Sequence, residues 1–280
     1  MNIDTILQGT TIGRRRRRLA AITDGLGLGD AYGGTLSRIK GQGEEEARLG
    51  MATLMWISHS ERPLKVDELC QALGVEIGSL DLDVDDVPSI GTLPARCQGL
   101  VTVDKVASTV RLIHFTLQEY LRAHPELFGR AHSTMAETCL SYLNSHKVMA
   151  LRAHPEPFGR AHSSVEETCL SYLNSYKAMA LAASISLDLR DTPFLEYSSL
   201  YWGVHAKRSL SDCAKLLALK LFDNYGNHIS LKIILKGGMP LYSGFNFNKN
   251  SLFNGLHCAS FFGIVDIVAG LVGVEGCDIN

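Results

Sequence analysis

Residues 121–150 and 151–180 are one thirty-residue segment written twice. Leu121-Arg-Ala-His-Pro125 returns as Leu151-Arg-Ala-His-Pro155, and Glu137-Thr-Cys-Leu-Ser-Tyr-Leu-Asn-Ser145 as Glu167-Thr-Cys-Leu-Ser-Tyr-Leu-Asn-Ser175. The mismatches fall only at 127/157, 134/164, 135/165, 136/166, 146/176 and 148/178. Solenoid repeats share packing positions and little else, and two units are too few for a solenoid, so this is a recent tandem duplication. Each copy encodes one amphipathic helix, with Met135, Cys139, Tyr142 and Leu143 answered by Val165, Cys169, Tyr172 and Leu173. A 280-residue chain builds one large core or two small ones. Two like apolar faces need two like surroundings, and one copy is expected to pack poorly.

Upstream of the duplication the hydrophobic period changes from helix to strand and back. Leu49, Ala52, Met55 and Trp56 form one helical stripe; Val66, Leu69, Cys70 and Leu73 form the next, ended by Gly74. Asp67 and Glu68 fall in its first turn, where the helix dipole favours anions. A short helix follows Pro88, carrying Ile90, Leu93 and Cys97. Leu100–Val103 and Thr109–Ile113 are β-branched runs around the polar turn Asp104 to Ser108, the pattern of a hairpin. Thr116-Leu-Gln-Glu119 has capping-box spacing and opens a further helix through Leu117, Tyr120 and Leu121. Helices followed by a two-stranded wing predict a winged helix.

Residues 1–29 read as a basic linker, with Arg14 to Arg18 and the cluster Gly25-Leu-Gly27-Leu-Gly29-Asp30. The cluster lacks the Lys-Ser/Thr and the preceding strand of a phosphate loop, so a flexible hinge is expected. Beyond the duplication, helices are expected from Thr192-Pro193 to Trp202, from Leu210 to Phe222 and from Ile229 to Leu235, with a loop over Gly237 to Asn250.

The final segment, Asn254 to Asn280, resembles an ankyrin repeat. Leu256 and His257 stand at its Leu-His, Ala259 is the small residue between helices, Gly263 makes the tight turn, and Ile267, Val268 and Leu271 form the inner face of the second helix. Asp278-Ile-Asn280 opens the next finger. Asn254-Gly255 replaces the usual Thr-Pro, which is expected to weaken the first turn. Arg62-Pro-Leu-Lys-Val-Asp-Glu-Leu-Cys-Gln-Ala-Leu73, Cys97-Gln-Gly-Leu-Val101 and Val110-Arg-Leu-Ile-His-Phe-Thr-Leu-Gln-Glu-Tyr-Leu121 resemble the winged helix that follows the NACHT nucleotide-binding domain in fungal, NLR-like ankyrin proteins, a domain family named after GPI inositol-deacylase. Pro193 to Ala206 is similar to the helical link between that domain and the ankyrin array. The resemblance implies a mainly α chain: a linker over 1–29, a winged helix over 30–125, a helical spacer over 126–245 and a single ankyrin helix pair over 246–280.

The same resemblance places His114 where a histidine contacts the phosphate of ADP bound to a NACHT domain. This chain has no G-x-x-x-x-G-K-[ST], so His114 can do so only if that domain is supplied elsewhere; otherwise it is a strand-end histidine bonded to backbone. No nucleophile elbow, acid–base pair or triad is present, and no catalytic residue is assigned. His124, His132 and Cys139, repeated as His154, His162 and Cys169, have no metal-ligand spacing, and no metal or cofactor is expected in the chain itself. Seven widely spaced cysteines without C-x-x-C read as reduced, buried thiols.

Without a signal peptide or a spanning segment, the expected compartment is cytosol or nucleus. Residues 30–130 carry 15 Asp/Glu against 10 Lys/Arg, and Val66 to Leu73 has no basic residue; nucleic acid is therefore not the expected partner. The expected function is a non-enzymatic regulatory module whose partners are a NACHT domain and ankyrin ligands. The alternatives are a DNA-binding winged helix and a truncated gene product without a function of its own.

Overall fold

The computed structural model describes residues 11–13, 26–151, 191–223, 225–237 and 254–274. The Arg14–Arg18 run, nearly all of the second copy with His154, His162 and Cys169, the loop expected after Gly237, and Cys277 to Asn280 lie outside the described residues. The described residues are mainly helical, with a two-stranded antiparallel sheet. The chain divides into a first unit, Met1–Gly74 with Val84–Ala131, and a second, Val75–Asp83 with His132–Asn280.

In the first unit, helix α1 runs Leu26–Lys40, so Gly27, Gly29 and Asp30 are helical and not the hinge expected of them. The reason lies across the core. A β-carbon would stand 3.7 Å from the Tyr120 ring at Gly29 and 3.4 Å from its hydroxyl at Gly33. The Tyr120 ring lies on this face of the helix, a contact that offsets part of the roughly 1 kcal/mol of helix propensity lost per glycine. Helix α2, Glu44–His59, begins with three glutamates in its first turn. Met55 and Trp56 are buried as expected, but Leu49 and Ala52 are only half covered, while Gly50, Thr53 and Leu54 are buried. The face is turned because Gly50 sits against the Arg96 carbonyl and Ile39, where a β-carbon would come within 2.8 and 2.9 Å.

Helix α3, Val66–Gly74, buries Leu69, Cys70 and Leu73. The short α4, Leu93–Arg96, leads through Gln98 and Gly99, both at positive φ, into the wing. Strands β1, Val101–Asp104, and β2, Thr109–Leu112, pair Val101 with Leu112 and Asp104 with Thr109. The segment before α3 adds a third rung: Val66 N donates to Ser108 O at 2.9 Å, and Val110 N to Leu64 O at 3.1 Å. Helix α5, Phe115–Ala123, then returns Leu117 and Leu121 to the core beside Leu36, Ile39, Leu54, Trp56 and Leu93. Helices closed by this small sheet make a winged helix.

The second unit holds residues 132–150 of the first copy, in α6, Ala131–Leu143, and α7, His146–Ala150. Met135, Cys139, Tyr142 and Leu143 are all buried. Residues 78–81 lie along this copy: Gly78 N donates to Ser141 Oγ at 3.1 Å, His146 N to Leu80 O at 2.9 Å, and Lys147 N to Asp81 Oδ1 at 2.9 Å. Helix α8, Leu195–Arg208, starts two residues after Pro193, with Phe194 at its cap, so the proline precedes the helix rather than opening it. Helix α9, Asp212–Phe222, is capped by Ser211, and α10 spans Ile229–Gly237. Helices α11, Gly255–Phe262, and α12, Val265–Val274, form a hairpin around Gly263. Trp202, fully buried, meets the rings of Phe222 and Phe262 at 5.9 and 5.2 Å. No helix among the described residues is long and apolar enough to cross a membrane.

Candidate functional site

His114 sits where β2 gives way to α5, and its extended backbone (φ −152°, ψ 148°) makes it the N-cap of that helix. The cap is therefore His114, two residues earlier than the Thr116 of the Thr116–Glu119 box expected from the sequence. A backbone amide can only donate, so Thr116 N, 3.3 Å from Nδ1, leaves that nitrogen unprotonated. Thr116 Oγ1 lies 2.8 Å from Nδ1 and accepts in turn from Tyr32 OH at 2.8 Å. This chain of three groups puts the proton on Nε2 and makes that atom a donor to an outside acceptor. The imidazole is exposed and leans on the Phe115 ring at 4.5 Å. Ile113 and Phe115 beside it are 58% and 65% exposed, which leaves an apolar surround about the polar tip.

An anchor the sequence did not announce holds α3 in place. Glu68, 1% exposed, receives both arms of Arg62, Nη1 at 2.7 Å and Nη2 at 2.8 Å, and the Lys65 amide at 2.9 Å. The carboxylate therefore faces the turn before the helix, while Asp67 is exposed. At the wing tip, the Asp104 carboxylate accepts from the Val106 and Ala107 amides, both at 3.0 Å, and the Ala107 bond is first among the causes that hold its pKa down. A small open pocket lies over α1 and α5, lined by Gly29, Asp30, Gly33, Gly34, Tyr120 and His124.

In the second unit, Asn254, where the sequence has Asn-Gly, caps α11 in a reciprocal box with His257. His257 is exposed, Leu256 half-buried, and Ala259 and Ile267 fully buried. Gly263 adopts the left-handed conformation (φ 69°, ψ 41°), and Ile264 N closes the turn on Ala259 O at 3.0 Å. Asn280 lies outside the described residues.

Among the described residues, further histidines make internal contacts. His124 Nδ1 lies 2.8 Å from Tyr120 O. His132 Nδ1 lies 2.9 Å from His205 Nδ1, and His205 Nε2 lies 2.9 Å from Tyr197 OH. Among the described residues, no three His, Cys, Asp or Glu side chains gather as a metal site. Cys70, Cys97, Cys139 and Cys258 are buried free thiols, with burial pushing Cys97 and Cys258 up to about 12; Cys213 is exposed, contrary to expectation.

No curated protein and no solved structure matches the chain. Residues 38–135, from the end of α1 into α6, match the family model described as GPI inositol-deacylase, winged helix domain.

Proposed function

We propose that this chain is a non-enzymatic regulatory and protein-interaction module of a NACHT–ankyrin signalling protein. The winged helix packs on a nucleotide-binding domain, and the helical spacer leads to ankyrin repeats. The observation that supports this reading is His114: an exposed imidazole whose Nδ1 is satisfied from within, leaving an Nε2–H for a phosphate oxygen and an apolar collar of Ile113 and Phe115 for a protein surface. ADP and ATP enter only through the partner domain.

The test is titration of the chain with a NACHT domain that occurs beside a winged helix of this family, loaded with ADP or nucleotide-free. His114→Asp keeps a good cap but sets a carboxylate against phosphate. It should weaken the ADP-loaded complex about tenfold or more, a loss of roughly 1.4 kcal/mol, and leave the nucleotide-free one unchanged. No binding in either state overturns the reading. A salt-dependent shift of duplex DNA would favour the DNA-binding alternative instead.

A further inference from the structure

The first copy of the duplication is held in a groove by contacts whose residues all recur in the second. His132 reaches His205, Ser133 Oγ donates to Ser209 O at 2.9 Å, and Ser211 Oγ donates to the Glu137 carboxylate. Asn144 Nδ2 donates to Leu217 O at 2.9 Å, and the Leu143 carbonyl meets His228 Nε2 at 3.0 Å. Cys139, Leu140 and Leu143 are fully buried, and Tyr142 packs edge-on to Phe194 at 5.2 Å. Thirty residues on stand His162, Ser163, Glu167, Cys169, Leu170, Tyr172, Leu173 and Asn174.

We propose that residues 161–174 are a second occupant of the groove formed by α8, α9 and His228, giving the chain two registers that differ by one thirty-residue copy. The groove cannot distinguish the copies by their polar contacts, because those side chains are identical. It distinguishes them at the mismatches. Ala136 is fully buried, and Glu166 stands at its place in the second copy. Burying that carboxylate without a partner opposes the second register. Val148, 1% exposed, becomes Ala178, which leaves a void. His146, whose Nδ1 lies 3.3 Å from the Asp81 carboxylate, becomes Tyr176. The first copy therefore holds the groove, with Glu166 as the main bar to exchange. In the other register, the stretch from Ala123 to the docked helix gains one full copy. A device that lengthens a tether without unfolding its anchor follows from the repeat itself.

Cysteine alkylation in the full chain reads the register. Tryptic peptides 131–147 and 161–177 differ in mass through positions 134, 135, 136 and 146, so Cys139 and Cys169 are scored separately. In the native chain Cys139 is protected, its thiol pKa pushed well up by burial. Ala136→Glu alone should destabilise the second unit. Adding Glu166→Ala, thirty residues away, should recover most of the lost unfolding midpoint while Cys139 labels at least about tenfold faster and Cys169 becomes protected. Two outcomes overturn the proposal. One is a double variant as unstable as Ala136→Glu alone, which means that the second copy does not enter the groove. The other is Cys139 still protected in the double variant, which means that the groove accepts a glutamate.

Discussion

Two ion pairs in the first unit show how burial decides the worth of a charge. Arg48 and Glu45 pair at the surface, both well exposed, whereas Glu68 is 1% exposed beneath Arg62. Exposed pairs contribute little because water screens them. A buried carboxylate stripped of its partner has no such recourse. Arg62→Ala should therefore destabilise the winged helix by about 2–4 kcal/mol in urea unfolding, while Arg48→Ala leaves the midpoint unchanged. An equal effect of the two would mean that water reaches Glu68. Gln98 raises the opposite expectation. Its φ of 49° strains any residue with a β-carbon, and its side chain is exposed. Gln98→Gly should stabilise the unit by up to about 1 kcal/mol, read as a rise in midpoint. Neither position could be singled out from sequence, because acidic residues in a first turn and a Gln-Gly pair look ordinary until the burial of one and the dihedral of the other are known.

At the scale of elements, glycines and a capping histidine set how the second unit's helices meet. A β-carbon at Gly203 would stand 2.2 Å from the Phe262 ring, and one at Gly255 2.3 Å from Phe222. Gly203→Ala and Gly255→Ala should each cost about 1–3 kcal/mol by forcing α8, α9 and α11 apart, although alanine is the better helix former. A rise in thermal midpoint for either would contradict the packing. His228 caps α10 through Ser230 and meets Leu143 O, and burial lowers its pKa from 6.5 to about 4. The unfolded state binds this proton more readily, so the contribution is complete above pH 6.5 and is lost as pH falls towards 4. The drop amounts to about 3 kcal/mol, and His228→Asn should remove that slope between pH 6.5 and 4 while lowering stability at neutral pH. The hairpin at 101–112 and the helices around it were legible because period-2 and period-3.6 patterns are local. The cap at His114 and the helical Gly27–Asp30 were not. Histidine is not among the usual capping residues, and the helix at Gly29 gains its contact from Tyr120, far along the chain.

For the molecule as a whole, the duplication supplies its own control. Removing 121–150 or removing 151–180 yields chains of equal length that differ only at the six mismatched positions. Both join Tyr120 to the same Leu-Arg-Ala-His-Pro sequence, so backbone length, linker composition and every polar groove contact are held constant. Any difference in stability between them belongs to those six residues. Four of the first copy's residues there have known surroundings that favour them: Ala136, Met135 and Val148 are buried, and His146 lies beside Asp81. The chain lacking 151–180 should match the parent in thermal and urea midpoints. The chain lacking 121–150 should be less stable by about 2–5 kcal/mol, chiefly through an unpaired carboxylate at the site of Ala136. Restoring alanine there by Glu166→Ala should recover most of the loss, since substitutions that do not touch one another add. If the two deletions prove equally stable, position 136 tolerates charge, and selection between the copies would have to come from outside the groove.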